Sequence, residues 1–470
     1  MTKRRIAGAA FFLAAVMMMV GCNTQQGAGQ VDIQGKLVTA CGQPLAYKAV
    51  YIPGHQPVLT DSEGGFAVSD VKSPYDIIVA NVFLTDFSEG PDLPVVVYQG
   101  LTRTDPTLTL RSSDQRRDPG CVASSVAGSF YPAGSDENVE SGALLFIGNR
   151  ARVGYEYRGD YKLSLDYSPD YLGANNASLI GLQWIKDSDT GNPKAFFYGG
   201  RETLTLGDGQ RITDHVLKMS PIGSRILSVS VTKPDLLQLS DDYAVSQYVT
   251  VDGLGTLMSI GDLGGDEVDE NGRYVFVGPS APDLGIGSTL VANGDYSGEF
   301  LRPAGVESDY LTGIDGYGFA WTNAGEDGDV EIDLGNPLIP ITPLNDVAVD
   351  PGEAVFSWRG NEGAVYIVDF DLDGRVGVEV VTTSTSFSFP DLSGLGIDFS
   401  GLHEGEWMIT EMEGSAMPAS VDDVAGEYSR MFRDIMSNSF ITYPTYPGEW
   451  GRGYYVRAGE FRIESGASED

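Results

Sequence analysis

Asp369, Asp371 and Asp373, followed by Gly374, have the opening spacing of a calcium-binding loop. Calcium takes hard oxygen donors, and alternating carboxylates before a glycine turn can supply them. Such a loop carries a bidentate Glu at its twelfth position, where this sequence has Val380. On an extended strand the three carboxylates share one face about 6.8 Å apart, too wide for one ion unless the chain curls. Two readings stand: a calcium site, or a solvent-facing strand that turns at Asp373-Gly374. The acid-rich stretches 261–272 and 326–333 lack ligand spacing and read as solvated loops, with calcium as the alternative.

His403 and Glu406 have the spacing of a zinc-binding pair, but such a site needs a further downstream histidine and the chain has only His55, His215 and His403. A loop running into a strand is the better reading. No nucleophile elbow, HExxH helix, phosphate-binding loop or dinucleotide fingerprint occurs. Carboxylate pairs that cleave glycosides have no fixed spacing and stay open. Trp184, Trp321, Trp358, Trp407 and Trp450 are either core residues or, in part, a sugar-stacking platform. Asp61-Ser62-Glu63, set before Gly64, Gly65 and Phe66, could be a catalytic or metal loop, or a turn that closes a hairpin.

These groups have to be positioned by elements, and the composition says which kind. The chain has 470 residues, 42% of them apolar, with 60 Gly and 24 Pro scattered without period. That length implies roughly three or four domains. The Gly, Thr, Val and Tyr usage favours short strands joined by turns, so an all-β fold of serial β-sandwiches is expected. Thirty basic residues face 66 acidic ones, a formal charge of −36, and none of the nine lysines lies beyond Lys233. Such a surface repels nucleic acid and anionic lipid headgroups. It leaves cations, cationic partners or simple solubility as reasons for the charge.

The N-terminus carries Lys3, Arg4 and Arg5, then an apolar run from Ile6 to Val20. The run is too short for a stable membrane-spanning helix and has the form of an export signal. Met19-Val20-Gly21-Cys22 resembles a bacterial lipobox. The resemblance implies a signal peptide over 1–21, cleavage before Cys22, a diacylglycerol on its thiol, and stable membrane attachment through the acyl chains. Asn23, rather than Asp, at the next position implies an outer-membrane destination over an inner one. The mature chain keeps 27 basic against 66 acidic residues, a charge near −39, and residues 22–30 form a flexible tether. Of the two other cysteines, Cys41 and Cys121, an exported protein would make one disulfide, contributing about 4 kcal/mol through loop entropy; two separately buried thiols are the alternative.

The first body segment, 31–111, alternates apolar and polar residues, with Ile33, Leu37, Val50, Ile52, Phe66, Val68, Ile77 and Val79 as inward positions. Gly35, Gly42-x-Pro44-Leu45, Val50 and Thr60-Asp61-x-x-Gly64-x-Phe66 resemble the carboxypeptidase regulatory-like domain, a small transthyretin-like β-sandwich. In that family the module is the non-catalytic companion. The resemblance therefore implies that Asp61, Gly64, Gly65 and Phe66 build a turn rather than an active site.

Residues 111–120 read as a linker. Strand patterns resume over 121–222 and 223–335, with hairpin signals at Gly207-Asp208-Gly209, Asn271-Gly272 and Asn293-Gly294. A proline-rich connector follows, and 350–470 loosely resembles a fibronectin type III-like β-sandwich. There Phe356, Trp358, Tyr366, Val368, Phe370 and Leu372 point inward. One short amphipathic helix interrupts it, capped by Ser420, with a stripe of Val421, Val424, Tyr428, Met431, Phe432, Ile435 and Met436.

The expected function is that of a non-enzymatic, lipid-anchored binding or scaffold module of the cell envelope, with a protein or glycan partner, no nucleic acid and no cofactor, calcium being the exception left open. The alternative is a carbohydrate-binding or carbohydrate-cleaving surface lipoprotein. An exposed aromatic row beside a cleft would mark the alternative; buried tryptophans without a cleft would mark the scaffold.

Overall fold

The computed structural model describes residues 29–39, 42–80, 93–110, 121–131, 138–147, 150–156, 159–188, 190–232, 244–252, 255–264, 267–301, 310–343, 347–350, 352–392, 395, 397, 399, 402–415, 417–426 and 450–463. The signal peptide, Cys22, the tether, Cys41 and the 111–120 linker lie outside them. The fold is all-β, with serial sandwich-like layers and one short helix near the C-terminus.

Every inward position expected in the first segment is buried. Strand Gln30–Val38 pairs antiparallel with Gly65–Lys72 and parallel with Thr107–Thr109. Phe66 lies across Gly35, where a Cβ would come 2.1 Å from the ring. Glycine is needed there for close approach.

The remaining strands of this segment join a thirteen-stranded sheet. Its spatial order is Gly255–Gly264, Ala244–Val251, Ile286–Leu301, Tyr310–Asn323, Trp450–Ile463, Glu404–Gly414, Val365–Leu372, Val376–Thr382, Leu93–Leu101, Tyr75–Ala80, Ala49–Tyr51 and Val58–Leu59, with Val347–Val349 alongside Trp450–Ile463. The joint between the first and last segments is the parallel pairing of Leu93–Leu101 with Val376–Thr382. Successive residues feed opposite cores. Ile78, Val95 and Val97 pack with Trp358, Tyr366 and Val368. Ile77, Val96 and Tyr98 pack with Ile33, Leu37 and Ile367. Burial on both faces explains the unbroken apolar runs in these strands. Each such side chain contributes about 1.5–3 kcal/mol.

A seven-stranded sheet built around Val139–Ile147, Gly173–Lys186 and Pro193–Leu206 is likewise buried on two sides. Leu145 and Ile147 face the three-stranded sheet of Asp160–Tyr167, Val122–Tyr131 and Arg211–Lys218. Leu144 and Phe146 face Val249 and Val251 of the large sheet.

Three turn signals have outcomes different from the expected hairpins. Gly207-Asp208-Gly209 does turn, with the Gln210 N–H donating to the Gly207 carbonyl at 3.0 Å. Its flanking strands then enter different sheets, so it is a corner. Asn271-Gly272 also turns, but it joins Gly255–Gly264 to Tyr274–Ser280, which lie in separate sheets. Asn293-Gly294 lies inside strand Ile286–Leu301, where Gly294 stands opposite Gly318. A Cβ on Gly318 would meet the Tyr454 ring at 2.6 Å, so small residues there admit an aromatic rather than make a turn. The proline-rich connector holds two short strands, Ile339–Thr342 paired with Phe356–Arg359, and Val347–Val349.

The helix spans Val421–Val424. The Ser420 hydroxyl accepts from the Asp423 N–H at 3.2 Å, and the Asp423 carboxylate accepts from the Ser420 hydroxyl and the Ala419 N–H. Val421 and Val424 enter the core. The rest of the expected stripe, Tyr428, Met431, Phe432, Ile435 and Met436, lies outside the described residues.

Candidate functional site

Asp61 turns its carboxylate onto its own backbone. Oδ1 accepts from the Glu63 and Gly65 N–H groups, both at 2.8 Å, and the Gly64 N–H donates to the Asp61 carbonyl at 3.1 Å. Gly64 has φ +73°, and a Cβ there would lie 2.4 Å from the Leu37 carbonyl oxygen. Buried Thr60 completes the loop, donating to the Leu45 carbonyl and accepting from the Lys48 N–H. Phe66 is core. The four residues thus sit together in a turn whose polar atoms bind backbone.

Asp369 and Asp371 lie on Val365–Leu372, and Asp373, at φ +54°, begins the turn into Val376–Thr382. Asp371 accepts from the Gly374 N–H at 2.8 Å. Asp373 accepts from the His403 N–H at 3.0 Å and the Glu404 N–H at 2.8 Å, which ties this hairpin to the next strand. Among the described residues no group of three or more His, Cys, Asp or Glu side chains could hold a metal ion.

Glu406 of the zinc-like pair forms a two-point ion pair with Arg457, at 2.6 and 2.9 Å, in place of a metal bond. Cys121 is buried and disulfide-bonded; Cys41, the partner expected for it, lies outside the described residues. Four tryptophans, Trp184, Trp321, Trp358 and Trp407, are core, and Trp407 Nε1 donates to the Pro343 carbonyl at 3.2 Å. Trp450 is 47% exposed at the start of its strand. An apolar recess between the two large sheets, lined by Leu144, Ile180, Leu182, Tyr198, Val249, Val251 and Ile286, has about 10 Å³ of room. That is room for one water at most, and far less than a sugar needs.

Sequence reasoning passed over one group. Glu411, on strand Glu404–Gly414, is 1% exposed. Burial pushes its carboxyl up to about 7, Asn361 hydrogen bonds oppose the rise, and the neighbouring Glu413 adds to it. The signal was available: Trp407, Ile409 and Glu411 occupy the same face of one strand, so two inward apolar residues predict an inward acid. His215, at a bulge beside Asp214 (φ +59°), pairs with Glu202 at 2.9 Å and links two sheets.

No helix among the described residues is long and apolar enough to cross a membrane, which says nothing of strands. No protein-family description matches the chain, and no curated protein matches it. Among solved structures it is similar to the Bacillus anthracis TIE protein, at 11% identity over 65% of this chain and 50% of that one, TM-score 0.15. It spans about half the length of that protein. A Streptococcal ancillary pilin is 11% identical over 65% of this chain and 99% of the other, TM-score 0.14. A putative cell adhesion protein from Parabacteroides distasonis is 7% identical over 56% and 99%, TM-score 0.17. At these scores the likenesses carry no argument.

Proposed function

We propose that this chain is a non-enzymatic binding or scaffold protein of the bacterial cell envelope, lipid-anchored at Cys22 and holding a protein partner. One observation carries the reading. Four of the acids whose types and spacing suggested chemistry are engaged in holding the fold: Asp61, Asp371 and Asp373 accept backbone N–H groups, and Glu406 holds Arg457. Carboxylates used in this way are built for rigid shape, and loops on rigid sandwiches are where binding surfaces lie. The outer-membrane destination rests on the lipobox resemblance alone.

The test is in-cell cross-linking of a C-terminally tagged, lipidated chain, with co-purified species identified by mass spectrometry. One dominant protein partner, retained in the wild type and lost or reduced in C22A, is the expected result. Absence of any protein partner from cells where the anchor is confirmed overturns it, and binding in a glycan screen would then favour the carbohydrate reading.

A further inference from the structure

A strand at the border of a sheet can accept another strand unless charge, a bulge or shortness prevents it. Nearly every border strand among the described residues is protected in one of these ways. Gly65–Lys72, Arg150–Glu156, Asp160–Tyr167 and Asp329–Asp333 contain charged residues. Gly255–Gly264, Arg211–Lys218 and Ile339–Thr342 break register against their partners. Val58–Leu59, Thr107–Thr109, Val347–Val349 and Ser386–Phe387 have two or three residues each.

Tyr274–Ser280 has none of these devices over its first five residues. It ends the seven-stranded sheet, with Ser220–Thr232 on one side and no described strand on the other. The two pair over seven residues without a register shift. The strand holds no charged residue, and its proline, Pro279, comes only next to its end. Tyr274 and Phe276 enter the core shared with the thirteen-stranded sheet. Val275, on the opposite face, is 41% exposed. Ile226, opposite half-buried Val277, is 69% exposed. The border and the outer face beside it are therefore apolar.

The charge around this border is negative. Exposed Glu267 and Glu270 precede the strand, and exposed Asp283 follows it. Arg273 is taken up by Asp329 at 2.9 Å. Arg225, next to Ile226, donates to the Gly325 and Ala324 carbonyls at 2.5 and 3.0 Å. A second copy of this chain, with a formal charge of −36, would meet like charge here.

We propose that Tyr274–Ser280 is a docking border for an extended, cationic segment of the protein partner. The segment adds as a further strand. Its alternate apolar side chains continue the Ile226, Val275 and Val277 face, and flanking Lys or Arg residues meet Glu267, Glu270 and Asp283. Main-chain hydrogen bonds supply affinity, and the charges supply orientation. The inference rests on the binding reading above and adds the place and the chemistry of the partner.

The experiment puts a photo-cross-linking side chain at position 275 of the lipidated, full-length chain in cells. Position 347, whose Val347 is 44% exposed on another border, is the control. Mass spectrometry should find one partner segment joined to 275 and not to 347, with alternating apolar residues and flanking Lys or Arg. A synthetic peptide of that segment should then bind the purified mature chain, and V275K should weaken it at least about tenfold. E267Q/E270Q, which keeps the strand intact, should flatten the loss of affinity between about 0.05 and 0.5 M salt. An acidic segment, a second copy or this chain's own residues joined to 275 overturns the proposal. So does peptide affinity unchanged in V275K or, should V275K fail to fold, a salt dependence unchanged in E267Q/E270Q. A partner caught by general cross-linking but never from 275 overturns the docking border and leaves the binding reading standing. No partner by either route overturns both.

Discussion

At the scale of single residues, the motifs that looked chemical and the motif that sets the turn are the same atoms. Asp61 was legible as a turn residue because an aspartate three residues before a glycine can bind the backbone it bends. D61A should remove two backbone hydrogen bonds and cost about 1 kcal/mol in urea unfolding, exposure keeping the value low. G64A should cost more, about 1–3 kcal/mol, because a left-handed φ and a 2.4 Å approach to the Leu37 carbonyl act together. Equal losses for the two variants would show that the turn relaxes around a Cβ. Glu411 was not read from the sequence because glutamate is rarely buried, and composition gives it to the surface. Only the face it shares with Trp407 and Ile409 betrays it.

At the scale of elements, the strand pattern and the helix start were legible, and strand partners were not. Alternation reports which way a side chain points. It carries no information on which backbone lies alongside, and so Gly207-Asp208-Gly209 gave a correct turn and the wrong neighbour. The four-residue helix shows the same limit. Ser420 and Asp423 announced its cap, but nothing announced that Asp422 would clasp a segment 320 residues away. Its carboxylate accepts from the Thr102 and Arg103 N–H groups at 2.8 and 3.0 Å, while Arg103 donates to the Asp422 carbonyl at 2.9 Å. A helix this short has no stability of its own, and the clasp helps fix it. D422A should therefore destabilise the chain by about 1–2 kcal/mol. Partial burial works against the Asp422 charge, but hydrogen bonds from Thr102 and Arg103 outweigh it and hold the carboxyl below its ordinary range. The clasp is thus present at neutral pH and lost as pH falls below that range. In D422A the acid limb of a stability-against-pH curve should flatten relative to wild type; an unchanged limb would assign acid loss to other carboxylates.

At the scale of the whole molecule, the sequence showed an all-β chain of sandwich-like layers, and the structure adds that segments far apart in sequence share sheets and cores. The unbroken apolar runs Val95–Tyr98 and Val365–Val368 were the available hint, since strands buried on both faces lose their alternation. Residues 31–111 expressed alone should consequently lack a cooperative melt, and the mature chain should unfold the first and last segments in one transition by calorimetry. An independently melting 31–111 fragment would show that its own contacts suffice. The parallel joint has a further consequence, in time rather than space. Gln99 and Thr382, hydrogen-bonded across it at 2.7 Å, are 283 residues apart. A ribosome delivers the first strand long before its partner exists, so a nascent chain carries an unsatisfied, apolar strand edge through most of its synthesis. Loop closure over that distance is slow, and such edges are where chains stick to one another. Nascent chains stalled before residue 376 should hold holdase chaperones on Leu93–Leu101, and release should come only when Val376–Thr382 has emerged.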